Sequence, residues 1–381
     1  CYMTNIVFFS DSKSIDLYPL NLGKCASTLH FGARSVATQW VEALIENNFS
    51  HTLKIRINSR LMPTDRSVKF VCGMSSGEKW IVNGESLAEI EGNVVKEVGG
   101  DCPALLTESA ADYFELCGEG IAGDLERLKL VWRARKLNES ERESWAMSGV
   151  FIHGDLDKVY ISPGAKIRSC TLNTEQGVVI LGSDSEVMEG SCIRGPFALG
   201  ENSTVKMGSQ IYGPSSIGKH CKVGGEISNV VMHDYSNKGH GGFVGNSVIG
   251  SWCNLGAQTT SSNLKNTYGE VKLYSAKEGK LINGGRVFCG LLMGDHSKTA
   301  IHTAFNTATV VGSFCNVFGK GTPEKHIPSF SWGGSEGVQE YKLEQAISTA
   351  KKVMARRGIE LSFDEEAAIG KLFSDTSADR T

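Results

Sequence analysis

The chain is 381 residues long and 40% hydrophobic, with 39 Lys and Arg against 42 Asp and Glu, a formal net charge of −3. That length points to about two domains with apolar content sufficient for a sizeable core. The slightly acidic balance leaves no basic footprint for nucleic acid and no polybasic patch for a membrane surface, so the expected partner is a small molecule.

The 11 cysteines are odd in number, scattered and without CxxC spacing, and read as reduced thiols of a cytoplasmic protein. No signal-peptide pattern or apolar run of about 20 residues appears, so neither export nor a membrane span is expected.

Residues 1–150 have the texture of an α/β domain with a partly parallel sheet. Ile6–Phe9 reads as a buried strand, residues 33–48 as a helix carrying Val36, Trp40 and Leu44, and Leu53–Ile57 as a strand. Val68–Cys72 and Trp80–Val82 are two further strands. Helices are expected over Pro103–Cys117, with Pro103 in the first turn, and over Leu125–Trp145. The boundary is expected near Ser148–Gly149.

From 151 to 335 the pattern changes. Beginning at Leu181, every sixth residue is aliphatic: Leu181, Val187, Ile193, Leu199, Val205, Ile211, Ile217, Val223. Neither a helix nor a half-buried strand has a period of six, whereas a parallel β-helix of hexapeptide repeats does. Each hexad gives one strand and one turn, three hexads close a triangular coil, and stacked coils bury one another. After Val223 the count slips, which reads as a two-residue insertion, and the sixes resume at Val231. Asn237 then falls at an interior position, a polar intrusion of the kind found at functional sites. The count lapses after Ser261 for a hairpin excursion around Glu270–Tyr274 and Leu281–Asn283, and returns from Met293 to Val317. Residues 336–381 read as C-terminal helices over Gln339–Arg357 and Ala367–Phe373, the second with a Ser362/Glu365 capping box, followed by a disordered tail from Ser374.

The richest polar stretch is Asn237-Lys-Gly-His-Gly-Gly-Phe-Val-Gly-Asn246. His240 among glycines is accessible to a substrate, and an imidazole can take a proton from an attacking amine or hydroxyl. Lys238, Asn254, Asn263 and Lys265 supply neighbouring polar groups, with Lys238 and Lys265 expected to contact the substrate beside Asn254.

Gly195-Pro-Phe-Ala198, Asn237-Lys-Gly-His240, Phe243-Val-Gly245, Ile249-Gly-Ser-Trp-Cys-Asn-Leu-Gly-Ala257 and Ser262-Asn263 resemble the acetyltransferase half of the GlmU family. Its members are bifunctional glucosamine-1-phosphate acetyltransferases and N-acetylglucosamine-1-phosphate uridyltransferases. Gly290-Leu-Leu-Met-Gly-Asp-His-Ser-Lys298 and Ile327-Pro-Ser-Phe-Ser-Trp-Gly-Gly334 resemble a branch with a shortened N-terminal nucleotidyltransferase-like domain. The resemblance covers about 160–335 well and the earlier residues weakly.

It implies a homotrimer of left-handed β-helices that binds acetyl-CoA and a sugar phosphate between subunits. His240 matches the family's catalytic base, Asn263 a residue that orients the base, and Asn254 a sugar-phosphate contact. The family's phosphate-binding arginine after Gly-Pro-Phe-Ala is absent, and Arg194 is its candidate substitute. Its lysine and tyrosine around the base fall on Ser228 and Phe243, so the sugar is open. Lys298 and Lys320 are candidates for the CoA phosphates, with Asp295 and His296 beside Lys298 in the same cleft.

Two other readings stay open. In the first, the N-terminal domain is a sugar-1-phosphate nucleotidyltransferase, which would need Mg²⁺ and a phosphate loop at Gly23-Lys24. In the second, the β-helix is a non-catalytic scaffold. A zinc site using His296 and His302 is a weaker alternative, because the two lie one hexad apart on adjacent faces.

Overall fold

A computed structural model describes residues 6–21, 24–49, 53–92, 96–98 and 105–380. It has the expected fold class, an α/β region followed by a left-handed parallel β-helix of hexapeptide repeats with C-terminal helices. The N-terminal sheet runs, in spatial order, Ile6–Phe9, Ile55–Asn58, Glu85–Ile90, Glu78–Val82, Lys96–Val98. Its outer pairs are parallel and its inner pairs antiparallel. Helix Val36–Glu46, capped by Ser35, buries Val36, Trp40 and Leu44, and Trp40 Nε1 donates to the Leu61 carbonyl at 2.8 Å.

Three expectations for this region are corrected. Val68–Cys72 belongs to helix Asp65–Cys72, because Thr64 caps it and Val68 and Val71 share one buried face at helical spacing. Pro103 lies outside the described residues, and helix begins only at Asp112–Glu115 and Cys117–Gly123. The helix expected over Leu125–Trp145 is interrupted: Leu125–Val131 ends before Arg133, which takes φ 51°, and Arg135–Lys136 pairs with Tyr160–Ile161 before helix Glu139–Met147.

In the β-helix, Leu181 stacks on Leu199 and Leu199 on Ile217, 18 residues apart. The eight aliphatics counted in sixes line the prism, each 2% exposed or less. Small residues at the corners are also buried and close the turns. Ser203 Oγ donates to the Gly218 carbonyl at 2.7 Å and accepts from the Cys221 N–H at 2.8 Å.

The first face of the prism (Val179–Leu181, Phe197–Leu199, Ser215–Ile217 and their successors) is buried on both sides. Its outward residues Ile180, Ala198, Val231, Val248, Leu292 and Val310 join one apolar cluster with Trp40, Tyr113, Phe114 and Ile121. Burying a side chain of Val or Ile size contributes roughly 1.5–3 kcal/mol, so this column holds the α/β region against the helix. Hairpin Lys272–Ser275/Lys280–Asn283, the excursion read from the sequence, also reaches back to it, with Ser275 Oγ donating to Asp16 at 2.9 Å.

At the corner between the first and second faces, His220, Tyr235, Trp252, His296, Phe314 and Phe330 all take φ between 56° and 63°. Their rings stack in sequence, with centroids 4.1–6.0 Å apart. The ladder ends against the C-terminal helices Leu343–Ala355 and Phe363–Asp375, the latter with the expected Ser362/Glu365 capping box. The tail expected to be disordered is corrected as far as Arg380. Its guanidinium lies 4.1 Å from the Phe373 ring centre and donates to the Phe373 carbonyl at 2.7 Å. Among the described residues no helix is long and apolar enough to cross a membrane.

Candidate active site

The coil that carries His240 is short. Val223 stacks on Lys238, 15 residues on, and Ile211 on Ile227, 16 residues on, instead of 18. The slip after Val223 is therefore a loss of residues, which corrects the expected insertion. It also moves the frame by one: Lys238, fully buried, takes the interior position, and Asn237 faces outward. Gly224-Gly225 makes the short corner feasible. Gly225 sits at φ 73°, and a Cβ there would lie 2.8 Å from the carbonyl oxygens of both Gly242 and His240.

Lys238 occupies a place where every neighbouring coil has an aliphatic or a small residue. An ammonium has three N–H donors and no acceptor, and three carbonyls take them: Gly224 at 3.0 Å, Gly241 at 2.9 Å, and His240. Burial pushes the amine down to about 8. Expected as a substrate contact, Lys238 instead lies fully buried with all three donors engaged by main-chain carbonyls. It braces the turn from inside, while the His240 side chain stands exposed outside, flanked by Gly239, Gly241 and Gly242.

On the second face, the residue before each interior position points outward, and four such residues pair in register: Lys222 with Asn237, Asn237 with Asn254, Asn254 with Lys298. They line a cleft of about 780 Å³ together with His240 and the end of helix Leu343–Ala355. Five basic side chains converge there, Lys206, Lys222, Lys298, Arg356 and Arg357, and no Asp or Glu is among the described lining residues. Arg357 Nη2 donates to the His220 carbonyl at 3.4 Å, tying the helix to the prism. Lys298 donates to the His296 carbonyl at 2.8 Å, and burial lowers its pKa. Asn237 Oδ1 is buried with no partner among the described residues. Such a surface suits phosphate groups, and the imidazole beside it suits proton transfer.

Of the residues singled out in the sequence, the cleft gathers His240, Asn254 and Lys298. Asn263 stands on another corner, where its Nδ2 donates to Asn246 Oδ1 at 2.7 Å. With the Asn229 carboxamide turned so that its oxygen faces Asn246, it accepts from Asn246 Nδ2 at 3.1 Å and extends an amide ladder under the α/β region. Lys265 donates to the Glu270 carbonyl at 2.6 Å within the excursion, Arg194 is exposed on the third face, and Lys320 is exposed in the loop after the last full coil. None of these four meets His240 within the chain. Asp295 and His296 part company with Lys298 as well: they face a separate cavity at the first corner. His302 is exposed at a different corner from His296, and no set of three or more metal-ligating side chains occurs among the described residues. Of the expected phosphate loop, Gly23 lies outside the described residues, and Lys24 is engaged with Asp295 at 2.7 Å.

Lys206, Lys222, Arg356 and Arg357 were not singled out from the sequence as site residues. Lys222 was legible, since it precedes an interior aliphatic just as Lys298 precedes Thr299. The arginines read only as the basic end of a helix, and their place depends on how that helix packs.

No protein-family profile matches the chain. Among solved structures it is similar to the polysialic-acid-specific acetyltransferase NeuO (13% identity, 55% of this chain, 98% of that one, TM-score 0.33). It is also similar to an Arabidopsis UDP-N-acetylglucosamine acyltransferase (15% identity, 61% and 92%, TM-score 0.24). A curated protein of Sulfurisphaera tokodaii is 30% identical over 176 residues, 46% of this chain and 41% of that protein. Over that stretch, less than half the length of the relative, the chain is similar to a bifunctional sugar-1-phosphate nucleotidylyltransferase/acetyltransferase.

Proposed function

We propose that the chain is an acyltransferase that moves an acetyl group from acetyl-CoA to the amine of an amino sugar phosphate of the glucosamine-1-phosphate kind. The observation that carries this reading is the cleft itself. A histidine on a glycine-rich turn opens onto a wall of five basic side chains, with two outward asparagines between them. Two phosphate-bearing substrates can share such a wall, one on either side of the base.

The amine nitrogen attacks the thioester carbonyl, and His240 accepts the proton that nitrogen sheds. Main-chain N–H groups steady the oxyanion until the C–S bond breaks. The departing thiolate takes the proton back from His240, leaving N-acetylated sugar phosphate and free CoA. No step passes through Mg²⁺. The bifunctional relative supports acyl transfer as the reaction class.

The active unit we propose is a homotrimer. Asn263 and His240 sit on different corners of one prism, so Asn263 would orient His240 only from a neighbouring copy.

Thiol release from acetyl-CoA, followed over a panel of amino sugar phosphates, tests the reading. His240→Ala is expected to lower turnover by about 10²–10⁴-fold, the usual contribution of a general base. Unchanged turnover in that variant would rule the mechanism out. Pyrophosphate release from a nucleoside triphosphate and a sugar-1-phosphate would instead indicate nucleotidyl transfer.

A further inference from the structure

At the corner between the first and second faces lies a second cavity, about 340 Å³, bounded by the N-terminal segment around Lys24–His30, the corner of the prism and both C-terminal helices. Three imidazoles meet its walls, and each leaves a buried ring nitrogen without a partner: His30 Nδ1, His233 Nε2 and His296 Nδ1. His233 is only 2% exposed, and its ring lies 4.6 Å from that of His30. Burial lowers the pKa of all three, His296 to about 3, so they are neutral. Polar atoms buried this way are ordinarily satisfied by protein, water or ligand.

The charged groups on these walls are already engaged, and the Glu365 carboxylate, which accepts from the Ser362 N–H at 2.8 Å and the Ser362 hydroxyl at 2.7 Å, adds a negative charge rather than a positive one. Lys24 Nζ sits 2.7 and 2.9 Å from the two Asp295 oxygens, and Asp234 accepts from the Lys219 N–H at 2.9 Å and lies 4.0 Å from His30 Nε2. An anionic ligand would find no unspent cation on the walls. A flat base would find no free ring to stack on, because Trp252 has Tyr235 on one side, nearly parallel at 4.1 Å, and His296 has Phe314 at 4.7 Å. What remains is a cluster of neutral groups able to donate and accept, in a space at the lower end for small-molecule sites.

We infer that this cavity is a second ligand site, for an uncharged polyhydroxylated molecule of monosaccharide size held by His30, His233 and His296. The site is joined to the basic cleft by two shared elements. Trp252 borders both cavities, and helix Leu343–Ala355 places Met354 on this one and Val353 on the other. Occupancy therefore bears on the position of Arg356 and Arg357.

Calorimetric titration of the full chain with D-glucose, N-acetyl-D-glucosamine and myo-inositol, and with D-glucose 6-phosphate for comparison, tests this. At least one should bind, equally well to the His240→Ala variant. Binding should weaken about tenfold in His30→Ala and vanish in Ala368→Trp, which fills the cavity from an exposed helix position and spares the buried His233. The inference fails if none of the three binds even at tens of millimolar, or if binding survives Ala368→Trp. It fails too if binding is lost in His240→Ala, which would place the sugar in the basic cleft, or if only a phosphorylated sugar binds and Lys24→Met abolishes it.

Discussion

The Lys238 ammonium, inside the prism, donates to the main-chain carbonyl of His240, whose side chain stands outside in the cleft. The turn that presents His240 is thus held by one fully buried side chain. Replacing it with Met keeps the volume and removes the donors, leaving the carbonyls of Gly224, His240 and Gly241 unpaired. Lys238→Met should cost about 1–3 kcal/mol of stability and, by loosening the turn, lower kcat about tenfold to a hundredfold. KM for acetyl-CoA should move far less. Thermal unfolding and steady-state kinetics on the same preparation check both.

The same lysine predicts a pH dependence. Its amine loses its proton near pH 8 in the folded protein and near 10.5 when unfolded. Between those values the unfolded chain holds the extra proton, so this group makes stability rise with pH across that window, and its contribution is flat below about 8. The urea midpoint of the wild type, compared near pH 7 and near pH 10, should shift upward relative to the same comparison in Lys238→Met. An identical pH response in the two proteins would refute it.

Gly225 sets the short corner. At φ 73°, with a Cβ position 2.8 Å from two main-chain oxygens, Gly225→Ala combines left-handed strain with a clash that no side-chain movement relieves. A loss of at least about 2 kcal/mol is expected. Gly279→Ala, also at positive φ but with nothing within 4 Å, should show only the strain. Chemical denaturation of the pair separates the two effects.

Arg356 and Arg357 reach the cleft from the C-terminal helix. If they hold phosphate, the Arg356→Ala/Arg357→Ala double variant should raise KM for acetyl-CoA about tenfold to a hundredfold with kcat little changed, as expected for lost charge-assisted contacts. The wild-type KM should climb with ionic strength and that of the variant much less. Initial-rate measurements at low and high salt decide the matter.

The prism was legible because its interior positions repeat, from Leu181 to Val223 and again from Met293 to Val317, and all of them are buried where the count put them. The site was legible only in part, because a fixed count of six assumes corners of equal length. Three short corners, from Val223 to Ile227, Ile227 to Met232 and Val244 to Ile249, shorten five hexads to the same total as four hexads with one insertion, so the two frames meet again at Ile249 while disagreeing on Asn237 and Lys238. Only packing shows which of the two is inside. The covered first face had a signal that the count ignored: Val-Ile-Leu, Val-Val-Met and Leu-Leu-Met triplets have an apolar residue pointing outward, which water alone would not favour. In the N-terminal region, Val68–Cys72 looked like a strand by composition, and the Thr64 cap decided otherwise.

If chemistry entered this scaffold where residues were removed, then scaffold and catalyst are separable by length alone. A chain given two residues back between Gly224 and Gly225 and one between Ile227 and Met232 would regain a full-length coil and relieve the crowding at that corner. It would be expected to fold at least as well, with an aliphatic at position 238 as its natural filler, and to have no fixed turn on which to present a base. In this protein the number of residues in one coil is as much a part of the proposed active site as the histidine it carries.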